Sequence, residues 1–398
     1  MKSTVNVYIA IVMLRAFTGS MIAAIYVKYL LLNGLDLFQI NLINCAFYGA
    51  LILLDVPTGA FADVFGRKKS VVLSFFVFSL AWMIYGYSKT FVGFISAELI
   101  GALASTFLNG ALRAWAVDQL QHESYAGEHV SLFGKVNVAA WCACIPGGII
   151  GGKLLTIHSS LPWFVCSSIL FLIAVFCMVF MKEDYFKQKK VTLLRSYKLM
   201  CITVRVSLRY VRENRVVRFV ILSSIVQIFA VQAPNMQWVP RFESTFGGAS
   251  MLGVAMASFA ILNALGSYLA KRVRKATRDE EHMIMWCQVC IGVFIIGSAL
   301  LPGMLGYIMF LLHQIPRGMY QPVKDAYFQA HITNRQRATM SSFESIVPNT
   351  GAVIALLGSG LIAKNYGIPM TWTISGSVLV VVAIMIAFNS SRHFSKKT

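Results

Sequence analysis

The chain has 398 residues, 57% of them hydrophobic and only 13% charged, with a mean hydropathy of +0.68. A soluble chain of that length carries about twice the charge, so the composition excludes a soluble enzyme or binding module and points to a membrane protein. The 35 Lys and Arg against 16 Asp and Glu would suggest nucleic-acid binding in a soluble protein, but here the cations fall between apolar runs and no nucleic acid is expected as a partner.

Apolar runs long enough to cross a ~30 Å hydrocarbon layer, about 20 residues each, lie at residues 5–31, 37–61, 70–87, 91–117, 130–157, 161–181, 218–239, 250–270, 283–301, 303–328, 338–363 and 371–388. They predict an all-α membrane protein with twelve transmembrane helices. Residues 1–181 form one six-helix half and residues 218–390 the other. Residues 182–217 are a basic linker, and 391–398 a tail. Cations crowd one face, leaving Lys28, Lys89, Lys153, Arg241 and Lys364 on the other, so by the positive-inside rule both termini are cytoplasmic.

The first span carries Arg15 and the second Asp55. An ionisable group at mid-membrane costs ~2.5 kcal/mol or more unless it faces a partner or water, and counting ~1.5 Å per residue places Arg15 near the middle and Asp55 in the inner half. An Arg15–Asp55 pair reads either as a structural ion pair or as one for which substrate or proton competes. Asp55 is the leading proton-carrier candidate, with Glu98 and Glu344 behind it.

Between the second and third spans, Gly59, Asp63, Gly66, Arg67, Lys68 and Lys69 spell GxxxDxxGRKK. The helix is expected to leave the membrane at Gly59, turn at Gly66 and re-enter near Ser70. This string resembles the signature loop of the major facilitator superfamily of secondary transporters. The resemblance implies two pseudo-symmetric six-helix halves working by alternating access. It also implies that Asp63 pairs with the loop cations and the inner end of the eleventh span, and that Arg67 reaches Asp118, latching an inner gate.

The fourth span carries Glu98 where that family usually has an Arg. It ends Asn109-Gly-Ala-Leu-Arg113-Ala-Trp115-Ala-Val-Asp118, similar to the ending found in many small bacterial efflux permeases. His122, Glu123, Glu128 and His129 could be drawn as a metal site, but beside Gly127 they read as a solvated loop; no metal or cofactor is expected. In the fifth span Gly134, Ala143, Pro146, Gly147, Gly148, Gly151 and Gly152 are similar to the family's antiporter signature, with Ala143 for one Gly and Gly148 for the Pro. Small residues at this spacing serve close helix packing or coupling, and both readings stand.

In the linker, Leu194, Tyr197, Cys201, Val204, Leu208 and Val211 recur at steps of three and four beside a run of Arg and Lys. That predicts an amphipathic helix on anionic lipid, or one that docks a soluble partner. Gly266, Arg274 and Lys275 after the eighth span repeat the offsets of Gly59, Arg67 and Lys68, with Ala270 in place of Asp63. Cys287 and Cys290 read as unpaired thiols within the ninth span. His313 and Arg317 lie in the tenth span and Glu344 in the eleventh, the last two being a second candidate ion pair.

The function this predicts is proton-coupled export of a small organic solute, a drug, metabolite or siderophore-like compound, from a bacterial cytoplasm across the inner membrane by a monomer. Arg15, Arg113, Arg317 and the peripheral Lys135 outnumber Asp55 and Glu344, which favours an anionic or zwitterionic solute. A proton-symporting uptake permease of the same fold is the alternative. A polytopic membrane enzyme is more remote, since no catalytic motif stands out in a span.

Overall fold

Inside a bilayer every backbone N–H and C=O must be satisfied within the protein, which leaves helices as the solution for isolated apolar runs. The computed structural model describes residues 2–124, 129–186, 209, 211–248, 251–277, 279–331 and 334–394, and among them there is no strand. The helices are α1 (Lys2–Ala23), α2 (Tyr26–Leu32), α3 (Leu37–Phe65), α4 (Arg67–Tyr87), α5 (Phe91–Leu108), α6 (Ala111–His122), α7 (His129–Ile157) and α8 (Leu161–Phe180). They continue as α9 (Arg215–Phe246), α10 (Leu252–Thr277), α11 (Glu280–Leu300), α12 (Gly303–Leu312), α13 (Gln314–His331) and α14 (Asn334–Phe394).

Ten helices among the described residues are long and apolar enough to cross a membrane, against twelve runs in the sequence. Two local features account for the difference. The tenth run is cut at His313 into α12 and α13, three residues before Pro316, which cannot donate to the ladder. The last two runs follow each other without a loop inside α14: they are two helices that meet at Gly367, whose non-helical φ of 81° and ψ of 171° fall where the turn is expected. The first and fourth spans are each interrupted as well, at Ala24–Ile25 and at Asn109–Gly110, where Gly110 has φ 74°.

The contacts divide the chain into two compact units. One holds Met1–Leu35, Ala46–Cys201 and Phe246–Ala257; the other holds Asp36–Cys45, Ile202–Thr245 and Ser258–Thr398. Each has its own apolar core. In the first unit Val7, Ile11, Phe75, Leu112, Trp115, Ile173 and Cys177 pack together. The second is built on Val217, Val220, Ile284, Tyr320, Val323 and Phe328. Within the second unit, Asn41 at the start of α3 donates to the Leu356 carbonyl of α14 at 2.8 Å, and Gln237 accepts from the Trp372 indole at 3.1 Å.

Close approach is needed at two glycines of α7. A Cβ on Gly147 would collide with the Phe17 carbonyl of α1, and one on Gly151 with the Met21 carbonyl. Gly148 faces Gly253, whereas a Cβ on Gly134 would meet nothing. Three of the small residues in this span therefore have direct packing contacts. The amphipathic stripe expected from Leu194 to Val211 lies almost wholly outside the described residues.

Candidate functional site

The α3–α4 loop is tighter than the sequence suggests. Helix α3 continues past Gly59 through Phe65, and α4 begins at once with Arg67, so the turn falls at Gly66 as expected. The whole reversal rests on Gly66, whose φ of 102° lies in the region that disfavours residues with a side chain. A Cβ there would also strike the Glu183 carboxylate. Glu183 Oε1 accepts from the Arg67 backbone N–H at 2.6 Å and Oε2 from that of Lys68 at 3.1 Å. A carboxylate from beyond the end of α8 thus occupies the N-terminus of α4, satisfying two donors that the helix cannot pair itself.

The motif at the end of the fourth span supports this arrangement. Trp115, 1% exposed, donates its indole N–H to the Lys182 carbonyl at 2.6 Å and fixes the strand of chain that delivers Glu183. The Arg67 side chain pairs with Asp118, both half-buried. Burial pushes the Glu183 carboxyl above its ordinary range, against the opposing pull of the Arg67 and Lys68 N–H groups and charges.

The resemblance implied a different partner for these cations, Asp63. That carboxylate is exposed and forms no ion pair among the described residues. It precedes the Gly66 reversal by almost a full turn on α3, while Arg67 turns toward Asp118 and the backbone of α4 is held by Glu183. The side chains at the start of α14, where the eleventh-span partner of Asp63 was expected, lie outside those described.

Arg15 and Asp55 are not brought together either. Both side chains reach solvent-accessible space, and neither has an ion pair among the described residues. Asp55 faces the side chain of Asn109, at the interruption of the fourth span. Arg15 instead shares the surroundings of the Tyr8 hydroxyl with Arg113. The Arg113 guanidinium lies 4.6 Å over the Phe133 ring, and Phe133 meets the Tyr8 ring edge-on at 5.9 Å. Arg113 does not turn toward Asp118, which is taken by Arg67, and Lys135 is exposed. Two cations thus flank one phenol, with no carboxylate paired to either among the described residues.

In the second unit, Arg317 donates to Asn235 Oδ1 at 2.8 Å. His313, wholly buried one turn earlier, is bonded through Nδ1 to the Phe310 carbonyl, and its Nε2 has no partner among the described residues. Glu344, the expected partner of Arg317, lies outside the described side chains. Gly266 packs against the Ile315 carbonyl, and the Arg274 Nε bonds Glu280 Oε1 at 2.6 Å. The second copy of the loop motif therefore differs from the first, in which Gly59 has open space and Arg67 turns to Asp118.

The sequence family described as the Major Facilitator Superfamily matches residues 8–313 of this chain. The chain belongs to that superfamily. A relative named uncharacterized MFS-type transporter YxaM, from Bacillus subtilis (strain 168), is 21% identical over 382 residues, spanning 94% of this chain and 92% of its own length. Multidrug resistance protein 2 of the same organism is 28% identical over 141 residues, covering 35% of this chain and 34% of that protein. Among solved structures, the nucleoside transporter NupG is similar with a TM-score of 0.77 at 13% identity, covering 96% of this chain and 98% of that one. That likeness speaks for the fold.

The protein is accordingly a multi-pass membrane transporter of the Major Facilitator Superfamily, not an enzyme. The residues that reading by motif missed in this superfamily member are Glu183 and Tyr8. Glu183 had one signal, as a rare acid in a stretch dominated by Arg and Lys. Tyr8 had none, because a phenol within an apolar run reads as packing. The loop residues Glu123 and His122 make no metal cluster among the described residues; Glu123 bonds Gln119 at 3.0 Å and takes the Thr4 hydroxyl.

Proposed function

We propose that this transporter exports a small anionic or zwitterionic organic solute from a bacterial cytoplasm, across the inner membrane, in exchange for protons. Both termini are cytoplasmic in this reading, and the protein works as a monomer among anionic lipids. The observation that carries the substrate class is the Arg15–Tyr8–Arg113 group, two guanidiniums in solvent-accessible space without a paired carboxylate among the described residues. Arginine binds a carboxylate through two parallel N–H donors, a geometry lysine does not reproduce. Export is supported by relatives named multidrug resistance proteins 1 and 2, each matched over about a third of its length.

The Gly66–Arg67–Asp118–Glu183 cluster acts here as a latch. A half-exposed ion pair such as Arg67–Asp118 contributes only ~0–1 kcal/mol, little for stability but enough to bias two conformations of similar energy. The test is transport of a small dicarboxylate and of a lipophilic cation by wild type, Arg15→Lys and Arg113→Lys in vesicles. Saturable transport of the anion, weakened about tenfold or more by either substitution, is expected. Robust transport of the cation, unchanged by both, would overturn the substrate class.

A further inference from the structure

Glu98, ranked behind Asp55 as a proton carrier on sequence, belongs neither to the loop cluster nor to the Arg15–Tyr8–Arg113 group. It lies on α5, 6% exposed, and among the described residues no Lys or Arg comes within ion-pair distance of it. Its Oε2 is 2.6 Å from the Tyr85 hydroxyl of α4, which is 3.2 Å from the Tyr26 hydroxyl of α2, and the Tyr26 hydroxyl also hydrogen-bonds the Glu98 carboxyl. Around this line stand aromatic rings. Trp163 of α8 stacks on Tyr85 at 4.3 Å and 8°, Phe94 and Trp82 approach the same ring, and Tyr29 meets Phe94 edge-on.

The charged and titratable groups on the surrounding elements are few. On α2 they are Tyr26, Tyr29 and the half-buried Lys28. Past the end of α4, exposed Lys89 places its ammonium 5.8 Å over the Tyr29 ring. Before α8, His158 Nδ1 accepts from the Ser160 backbone N–H at 3.2 Å, and α8 itself contributes the Trp163 indole, whose N–H has no partner among the described residues. Glu98 is thus held by phenol hydroxyls inside an apolar box, where an ionised group without a cation partner is expensive to keep.

We propose that Glu98 takes up and releases the coupling proton, delivered through Tyr26 and Tyr85; this rests on the proton-coupled reading above. Tyr85 has one hydroxyl hydrogen and two oxygen neighbours. When Glu98 is ionised, Tyr85 donates to Oε2 and Tyr26 donates to Tyr85. A proton from water arriving at the half-buried Tyr26 is accepted there as the Tyr26 hydrogen passes to Tyr85 and the Tyr85 hydrogen passes to Oε2. Each phenol ends neutral, and one carboxylate charge is cancelled. Tyr26 is the first residue of α2, directly after the interruption at Ala24–Ile25, so a shift of this short helix can join or break the relay. Asp55, favoured on sequence, is solvent-exposed beside Asn109 and stands outside this aromatic enclosure.

The experiment has two readouts on purified wild type, Glu98→Gln, Glu98→Asp and Tyr85→Phe. Without substrate, the infrared carboxyl absorption and the tryptophan emission are followed on pH titration. Among the carboxyl transitions of wild type, one is expected to be lost in Glu98→Gln, with an emission change that Trp163→Phe removes. In vesicles, Glu98→Gln is expected to lose pH-driven accumulation while keeping solute exchange, and Glu98→Asp to recover part of the accumulation. Tyr85→Phe, which also covers the case in which Glu98→Gln fails to fold, should keep the transition but slow the coupled flux several-fold. A Glu98→Gln spectrum that loses none of the wild-type carboxyl transitions, or wild-type accumulation by that variant, overturns the assignment. If wild type shows the Glu98 transition but no pH-driven flux, proton coupling fails and Glu98 stands as a proton site.

Discussion

Replacing Glu183 by alanine and by glutamine gives opposite outcomes if the α4 N-terminus is held as described. Alanine removes the acceptor for the Arg67 and Lys68 N–H groups. Losing a side-chain acceptor at a helix N-terminus costs about 1 kcal/mol, within a range of roughly 0.5–2, or about fivefold in the population of the latched loop. Glutamine keeps a neutral oxygen there and is expected to cost little, because burial already disfavours the charge of Glu183. The sign with pH follows from that burial. Between the ordinary value of 4.5 and the raised one, the folded state holds a proton that the unfolded chain has lost, so Glu183 makes the latch less stable as pH rises through that window. Ser70, wholly buried in the first turn of α4, supplies the reporter. In a cysteine-free background, thiol labelling of Ser70→Cys should run about fivefold faster with Glu183→Ala and at the wild-type rate with Glu183→Gln, which also removes the pH slope. Equal labelling of the alanine variant and wild type, or equal acceleration by both substitutions, refutes the reasoning.

Gly66→Ala, strained at φ 102° and clashing with Glu183, should weaken transport at least as much as Glu183→Ala; normal flux would contradict the turn geometry. Gly151→Val drives a side chain into the Met21 carbonyl, and overpacking of this kind costs about 1–3 kcal/mol, so reduced thermal stability is expected where Gly134→Ala shows none. Asp279 caps α11 by accepting from the His282 N–H at 3.2 Å. Its partial burial opposes ionisation but is outweighed by the His282 bonds, which hold its carboxyl below the ordinary range, so the stability it adds is present above pH ~4 and is lost as pH falls through the lowered value. An Asp279→Ala variant with an unchanged acid limb in thermal unfolding would exclude this.

The spans were legible because about twenty consecutive apolar residues have few other uses. Two junctions differ in detail, and the cause is local: Pro316 behind His313 divides the tenth run, and the turn between the eleventh and twelfth spans is reduced to Gly367. The site was less legible. Depth along a helix follows from residue counting, but the direction a side chain takes around it depends on neighbours, and that is why Arg15 and Asp55, similar in depth, face Tyr8 and Asn109 and not each other. The partner of the loop motif was hidden for a different reason. Glu183 lies 116 residues from Arg67, and what it engages is backbone N–H, which no side-chain pattern records.

The central claim, proton-coupled movement of an anionic solute, is tested most directly by flux in vesicles containing the purified protein under an imposed pH gradient. The account predicts that a dicarboxylate is driven toward the acidic side, that dissipating the gradient abolishes accumulation but not exchange, and that Arg15→Lys weakens both. Accumulation indifferent to the gradient, or transport confined to lipophilic cations, would contradict it.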